Sequence, residues 1–149
     1  MARTFLPYAI AAIGLAGLSL PGFAAGEEEG EAERFEEAAI DYLSYCAAFH
    51  GRSGIGDGPV AMELVTRPTD LTTLVQRHDG IYPVDLVTKR IDGREMPTAH
   101  GTSDMPVWGY WFKLQANAAG LLQDNDVDAQ AEVSERIDRL VDYIATLQK

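Results

Sequence analysis

"YLSYCAAFHGRSGIGDGPVA", residues 42–61, is the stretch of sequence that decides the fold. It contains the only cysteine of the chain, Cys46, and has His50 four residues later. A spacing of four residues places two side chains on the same face of a helix, one turn apart. Gly51 then ends the helix, since glycine adopts the left-handed conformation without penalty. We therefore expect a thiol and an imidazole to lie side by side on the last turn of a helix.

Residues 46–50, "CAAFH", match a haem-attachment pattern except at one position. A c-type haem is attached at Cys-x-x-Cys-His, and Phe49 occupies the second cysteine position here. Two interpretations of this string are open from these residues alone. It is either a haem site that has lost one covalent bond or a chance string around a lone buried cysteine. The single thiol excludes an intramolecular disulfide in both cases.

The N-terminal residues 1–25 have the pattern of a secretory signal peptide. Arg3 gives a positive start, an apolar run extends from about residue 5 to residue 20, and small residues follow it. The alternative is a membrane anchor, but glycines and Pro21 interrupt a run that is already short for a membrane span. We expect export, with no stable membrane insertion after cleavage.

The chain that remains, about 125 of the 149 residues, has the usual size of one compact domain. Its net charge is −12, because the −11 of the full chain loses the positive charge of Arg3. Such an acidic protein does not suit nucleic acid or anionic membranes, which are polyanions. The charge either steers the protein to a basic face of a partner or serves solubility alone. One free thiol in an exported protein also suggests that Cys46 is covalently occupied.

Apolar residues at helical spacing, and no strand pattern, predict an all-α fold. An acidic, flexible lead-in at 26–33 is expected before a helix from about Ala32 to Phe49, and a strongly amphipathic helix is expected from Ala131 to Leu147. An irregular loop is expected at 95–105. Four further helices are predicted, and all are short. Two of them span 60–65 and 108–117. A third is capped by Thr69 or Asp70 and runs through 75, and the fourth spans 82–92, with Pro83 in its first turn and Gly93 past its end.

The central region, residues 51–105, is rich in glycine and proline and poor in large apolar side chains. Short helices on long loops rarely form a core by themselves. Some other apolar body is therefore expected to fill the middle of the domain. A large apolar cofactor would do so.

Several segments together carry a family resemblance: "YCAAFHG", "GIGDGPVA", "RPTDL", "IDGREM", "HGTSDMPVWG" and the amphipathic C-terminal helix. In this order they resemble the class I c-type cytochromes, especially the bacterial periplasmic single-haem kind. The resemblance covers nearly all of residues 34–149. It implies a periplasmic protein with a cytochrome c-like fold, in which short helices and long loops wrap one haem. It also implies that the N- and C-terminal helices cross at Tyr42 and Tyr143, with Ala38 or Ala39 at the contact.

The resemblance implies iron ligation by His50 and Met105. An imidazole nitrogen suits haem iron, and a thioether favours ferrous iron and raises the reduction potential. The carbonyl of Pro59 would accept the proton of the other imidazole nitrogen, and Trp108 would donate to a haem propionate. Alternatives stay open: Met96, His78 and His100 as iron ligands, and Arg67, Arg90 and Arg94 as propionate partners.

Phe49 departs from the family, since phenylalanine cannot form the second thioether. Three outcomes are open. The haem is attached through Cys46 alone, with one vinyl group free beside the Phe49 ring; or it binds without a covalent bond; or it is lost from a vestigial domain. We expect the first, a single haem c with one thioether, because every other ligand feature is present.

The expected function is one-electron transfer, with no enzyme activity in isolation, because His50 and Met105 would occupy both axial positions. The expected partners are an exported dehydrogenase as electron donor and an oxidase or reductase complex as acceptor, which present basic docking faces in small, transient encounters. Three alternatives stay open: a haem-bearing subunit of an exported dehydrogenase, a haem-free binding module that kept the fold, and an open iron with peroxidase-like chemistry.

Overall fold

The computed structural model of the chain describes residues 25–94, 105–118 and 126–149, with side chains described for 29–94, 105–118 and 129–149. Regular structure in these ranges is helical and includes no strand, so the all-α prediction is confirmed. In the described part of the chain, no helix is long and apolar enough to cross a membrane. The predicted signal peptide lies outside the described residues, except for Ala25.

The elements follow one another in this order: α1 (Ala25–Asp41), a π-helical segment that we call the π turn (Tyr42–Cys46), α2 (Ala47–His50), 3₁₀ turns at Ala61–Glu63 and Leu71–Thr73, α3 (Leu74–Arg77), α4 (Val84–Asp92), α5 (Trp108–Ala118) and α6 (Asp126–Thr146).

The first helix, α1, begins earlier than the sequence suggested. It starts at Ala25 and not near Ala32, so the acidic residues 26–33 form its first turns. Glutamate and alanine are strong helix formers, and negative charge is favourable at a helix N-terminus. The lead-in is therefore helical in the structure, and its flexibility stays a prediction.

The N- and C-terminal helices, α1 and α6, pack against each other, as expected. Ala38 is 1 % exposed and Tyr42 is fully buried at this contact. The Tyr42 ring centroid lies 5.2 Å from that of Tyr143, with the two planes tilted by 43°. The small side chain at Ala38 lets the two backbones approach closely. The two tyrosines predicted at the crossing of the helices therefore meet there.

The long helix α6 supplies the centre of the hydrophobic core. Helices α4 and α5 pack on it as well as α1, and they add Val87, Ile91 and Phe112 to the core. Five residues of the predicted apolar stripe are buried, each at most 3 % exposed: Val133, Ile137, Leu140, Val141 and Ile144. The sixth, Leu147, follows the last residue of α6 and is partly buried against the core. The core therefore centres on α6, and the glycine-rich middle of the sequence contributes to it through Leu74 and α4.

The limits of α4 match the sequence prediction closely. Pro83 stands immediately before its first residue, and Gly93 ends it with a φ of 69° in the left-handed region, where glycine carries no Cβ penalty. The helix predicted at 60–65 is only a 3₁₀ turn at Ala61–Glu63. The helix predicted to run through residue 75 begins as the 3₁₀ turn Leu71–Thr73 and continues as α3 to Arg77. Asp70 caps the second of these as predicted, since the Thr72 amide donates to its Oδ1 at 2.8 Å.

The segment between α2 and α4 leaves large apolar side chains in solvent. The exposed fraction is 78 % for Met62 and 103 % for Val65. Ile55, Val60 and Ile81 are exposed as well. Exposed apolar side chains mark a binding site when they form one patch. These residues agree with the expectation that the middle of the sequence does not cover itself with a core of its own.

Candidate functional site

The π turn connects α1 directly to α2 and carries Cys46 at its end. In a π-helix each amide bonds to the carbonyl five residues earlier, and here the Ala47 amide donates to the Tyr42 carbonyl. Such turns are rare and are frequent at functional sites. The Tyr42 hydroxyl donates to the Gly51 carbonyl oxygen at 2.8 Å, which fixes the loop immediately after α2. Cys46 therefore lies immediately before α2 and His50 is its last residue. The hydrogen bond between Tyr42 and Gly51 joins the two ends of this segment.

The protonation of the His50 ring follows from its hydrogen bond. Nδ1 lies 2.9 Å from the carbonyl oxygen of Thr69. A carbonyl oxygen only accepts, so Nδ1 carries the proton, and the lone pair of the neutral ring is on Nε2. Burial lowers the pKa of His50, opposed by the bond to Thr69, so the neutral ring is favoured. His50 therefore presents the nitrogen that a metal ion requires.

The acceptor of the His50 proton is Thr69 and not Pro59, so the predicted role of the Pro59 carbonyl is wrong in this structure. The amide of Gly58 donates to the Phe49 carbonyl at 3.0 Å, and the amide of Val60 donates to that of Ala48 at 2.9 Å. These two bonds press the loop around Pro59 against the backbone of α2. A Cβ at Gly58 would collide with the Ala48 carbonyl oxygen, so this approach requires glycine.

The chain returns to His50 through "RPTDL", residues 67–71. The Gly56 amide donates to the His50 carbonyl at 2.8 Å, and the Leu71 amide donates to the Gly54 carbonyl at 2.7 Å. These bonds bring Thr69 beside the imidazole. A proline does stand next to the true acceptor, because Pro68 directly precedes Thr69. The "RPTDL" motif was therefore the signal in the sequence that could have identified this carbonyl.

Cys46 is a partly buried free thiol. Burial raises its pKa to about 12, and the charge of Asp41 adds to this effect. The sulfur is therefore protonated at neutral pH and is a weak nucleophile toward reagents in solvent. Phe49, at the position of the missing second cysteine, is also partly buried. It supplies no second sulfur.

Trp108 lies in an aromatic cluster with Tyr45 and Phe112. Its ring centroid is 5.4 Å from that of Tyr45, the residue before Cys46, and 6.0 Å from that of Phe112. The Phe112 ring also meets the Tyr45 ring edge-on at 5.8 Å. The structure thus shows Trp108 in aromatic packing next to the π turn, and its contact with a propionate stays a prediction.

Met105 lies at the entrance to α5, partly buried against the core cluster. The end of α4 is close by, since a Cβ at Gly93 would lie 3.2 Å from the Val107 Cα. The pairing of Met105 with His50 on one iron stays a prediction. Two of the alternative iron ligands, Met96 and His100, lie outside the described residues. The third, His78, has its Nδ1 2.8 Å from the Leu74 carbonyl oxygen.

The arginines proposed as propionate partners differ in their surroundings. Arg94 bonds to the Asp92 carboxylate, with Nη2 2.9 Å from Oδ2, and to the side chain of Gln130 at 2.7 Å. Arg67 and Arg90 are exposed. No described group of three or more His, Cys, Asp and Glu side chains could hold a metal ion. A haem iron needs only two axial ligands from the protein.

Sequence reasoning missed an ion pair next to the site. Arg136 of α6 binds the carboxylate of Asp41, the last residue of α1, and its side chain also contacts Tyr45. The available signal was an arginine next to the apolar stripe of α6, where Arg136 directly precedes Ile137. A charged side chain at such a position is buried only when it is paired.

Comparisons with known proteins give no relative. No protein-family model, curated protein or solved structure matches the chain. The assignment of the site therefore rests on this chain's own residues and their geometry.

Proposed function

We propose that this protein is an exported one-electron carrier that binds one haem, attached to Cys46 by a single thioether and ligated by His50 and Met105. One observation carries the proposal. The Thr69 carbonyl oxygen holds the proton on Nδ1 of His50, which leaves the lone pair of Nε2 for a metal one helical turn from the Cys46 thiol. That arrangement suits a metal ligand, whose second nitrogen is almost always bonded to an oxygen acceptor.

The exposed apolar side chains in the segment after α2 also suit an apolar macrocycle. The segment that follows α2 exposes Ile55, Val60 and Val65. Each Å² of such surface removed from water contributes roughly 25 cal/mol. A large flat apolar group bound beside α2 would gain this energy and would supply the missing partner of the segment. The residues present therefore fit haem.

A bound haem would supply a ferric/ferrous couple that gains or loses one electron. The protein residues have separate tasks in this proposal. His50 binds through Nε2 and keeps its orientation through Thr69. Met105 offers a soft thioether that favours the ferrous state. Cys46 gives its sulfur to one vinyl carbon and its proton to the neighbouring vinyl carbon, so attachment needs no oxidant.

Phe49 limits the attachment to one bond. Its ring cannot form a thioether, so the second vinyl group stays unreacted. Retention then depends on the axial ligands, apolar burial and the Cys46 bond together. The iron ligands do not involve residue 49, so electron transfer does not depend on the lost cysteine.

The acidic charge of the chain suggests partners with basic docking faces. We propose an exported dehydrogenase as donor and an oxidase or reductase complex as acceptor, met in the periplasm in transient encounters. Permanent association with one dehydrogenase remains the alternative form of the same function.

Optical spectra of the purified full chain, expressed in the periplasm with a haem-attachment system, test the proposed function. We expect a Soret band, a low-spin ferrous spectrum, and no change when carbon monoxide is added to the reduced protein, because both axial positions are filled. Carbon monoxide binding would contradict the ligand pair and favour an open iron. A protein without a Soret band would contradict haem binding and favour a haem-free module.

A further inference from the structure

A partly buried ion pair joins α6 to the start of the π turn. Nε and Nη2 of Arg136 each lie 2.6 Å from a different carboxylate oxygen of Asp41. The two side chains are only 18 % and 14 % exposed. A two-pronged bond of this kind fixes orientation as well as distance. Asp41 is the last residue before the π turn, so this pair fixes the point at which the turn begins.

The same guanidinium also contacts the interior of the π turn. Its Nη1 donates to Gln115 Oε1 at 2.8 Å, and Gln115 Nε2 donates to the Tyr45 hydroxyl at 2.9 Å. The guanidinium carbon lies 4.2 Å from the Phe112 ring centroid and 5.5 Å from that of Tyr45. Arginine over an aromatic face is attractive. We call these five residues the Arg136 cluster: Asp41, Tyr45, Phe112, Gln115 and Arg136.

The π turn lies within one continuous helix whose first part packs in the core and whose second part carries the proposed ligand residues. Upstream, Ala38 and Tyr42 are buried in the core. Downstream, Cys46 and His50 must face a ligand. A π turn contains one more residue between bonded groups than an α turn, so it rotates the downstream side chains about the helix axis relative to the upstream ones. In an uninterrupted α-helix, Cys46 would follow Tyr42 on the same face.

We propose that Arg136 is a positioning residue for the haem site, because its cluster stabilises the π turn in the register that presents Cys46 and His50 together. This inference rests on the proposed function. Arg136 itself touches no haem; it acts through Asp41 and Tyr45. The fork of the guanidinium is essential, since a lysine ammonium is a point charge that cannot bind both carboxylate oxygens and Gln115 in one plane.

The chain offers a matched control on the same helix. Arg139 of α6 also pairs with an α1 carboxylate, that of Glu37, at 3.5 Å. Glu37 lies one turn before Asp41, so this pair joins the same two helices without involving the π turn. Arg139→Gln therefore removes a second, longer ion pair between α1 and α6, together with the contact of Arg139 with Glu135 at 3.5 Å, and leaves the Arg136 cluster in place.

Hydrogen exchange of the Ala47 amide reports the π turn directly, because that amide donates to Tyr42 across the turn. In the purified full chain we expect exchange at Ala47 to be about tenfold faster, or more, in Arg136→Gln and in Arg136→Lys, with the amides of the α6 core unchanged. Arg139→Gln should leave Ala47 as in the unmodified protein. Unchanged exchange in Arg136→Gln, or full protection in Arg136→Lys, would overturn the proposal.

The yield of covalently bound haem gives a second readout on the same variants. We expect Arg136→Gln and Arg136→Lys to carry several-fold less covalent haem per folded protein than Arg139→Gln. Equal yields would overturn the positioning role. The lysine variant keeps the positive charge of Arg136, so it can be used for the same two measurements if the glutamine variant does not fold. If the unmodified protein carries no haem, the proposed function fails, while exchange at Ala47 still decides whether the cluster holds the turn.

Discussion

Replacing His50 with alanine is expected to remove the low-spin haem spectrum of the purified full chain. Nε2 of His50 is the nitrogen with a free lone pair, and its ring is already oriented by the Thr69 carbonyl. The loss of haem binding should exceed the roughly 10- to 100-fold loss of metal affinity that follows when an outer-shell partner of a metal ligand is altered. Soret absorbance per folded protein, with the reduced spectrum, measures it.

His78 provides the matched control for this substitution. Its Nδ1 lies 2.8 Å from the Leu74 carbonyl oxygen, so it has the same kind of hydrogen bond as His50 but stands outside α2 and the π turn. His78→Ala should keep the full spectrum. A low-spin spectrum that survives in His50→Ala, or disappears in His78→Ala, would show that the proposed imidazole ligand is the wrong one.

Replacing Met105 with alanine is expected to lower the reduction potential strongly while leaving haem attached. A thioether stabilises ferrous iron, so its loss shifts the couple toward ferric. We expect a drop of roughly 0.1–0.3 V, a part of the roughly 0.8 V range that axial ligands control. Redox titration measures the drop, and the reduced variant should now bind carbon monoxide.

Two other methionines make this test specific. Met62 is 78 % exposed, and Met62→Ala should leave the potential unchanged. Met96, the other Met-Pro methionine, is the competing ligand, so Met96→Ala should also leave it unchanged. A potential that falls in Met96→Ala and stays constant in Met105→Ala would assign the sixth position to Met96.

Local patterns in the sequence were sufficient to predict the buried face of α6, the ends of α4 and one helix cap. The stripe of α6 follows from three- and four-residue spacing, and it is buried as expected. Pro83 and Gly93 mark the ends of α4 because their preferred backbone angles suit those positions. The cap at Asp70 is likewise a local contact. Each of these predictions depends on residues close together in the chain, which is why sequence reasoning reaches them.

Contacts between distant residues were beyond the same reasoning. The acceptor for His50 is Thr69, nineteen residues along the chain, and its place depends on how the glycine-rich loop folds against α2. The π turn has no signal of its own in "YLSYC", because the helix departs from α geometry under tertiary contacts. Arg136 and Asp41 are separated by 95 residues, so only the packing of α6 on α1 brings them together.

The covalent state of Cys46 tests the central claim most directly. Acid-acetone extraction of the denatured full chain, followed by intact-mass measurement, should show one haem retained on the unmodified protein. In Cys46→Ala the haem should be extracted completely and the mass should be that of the polypeptide alone. A haem that is fully extracted from the unmodified chain would contradict the single thioether, and a haem retained in Cys46→Ala would place the bond on another residue.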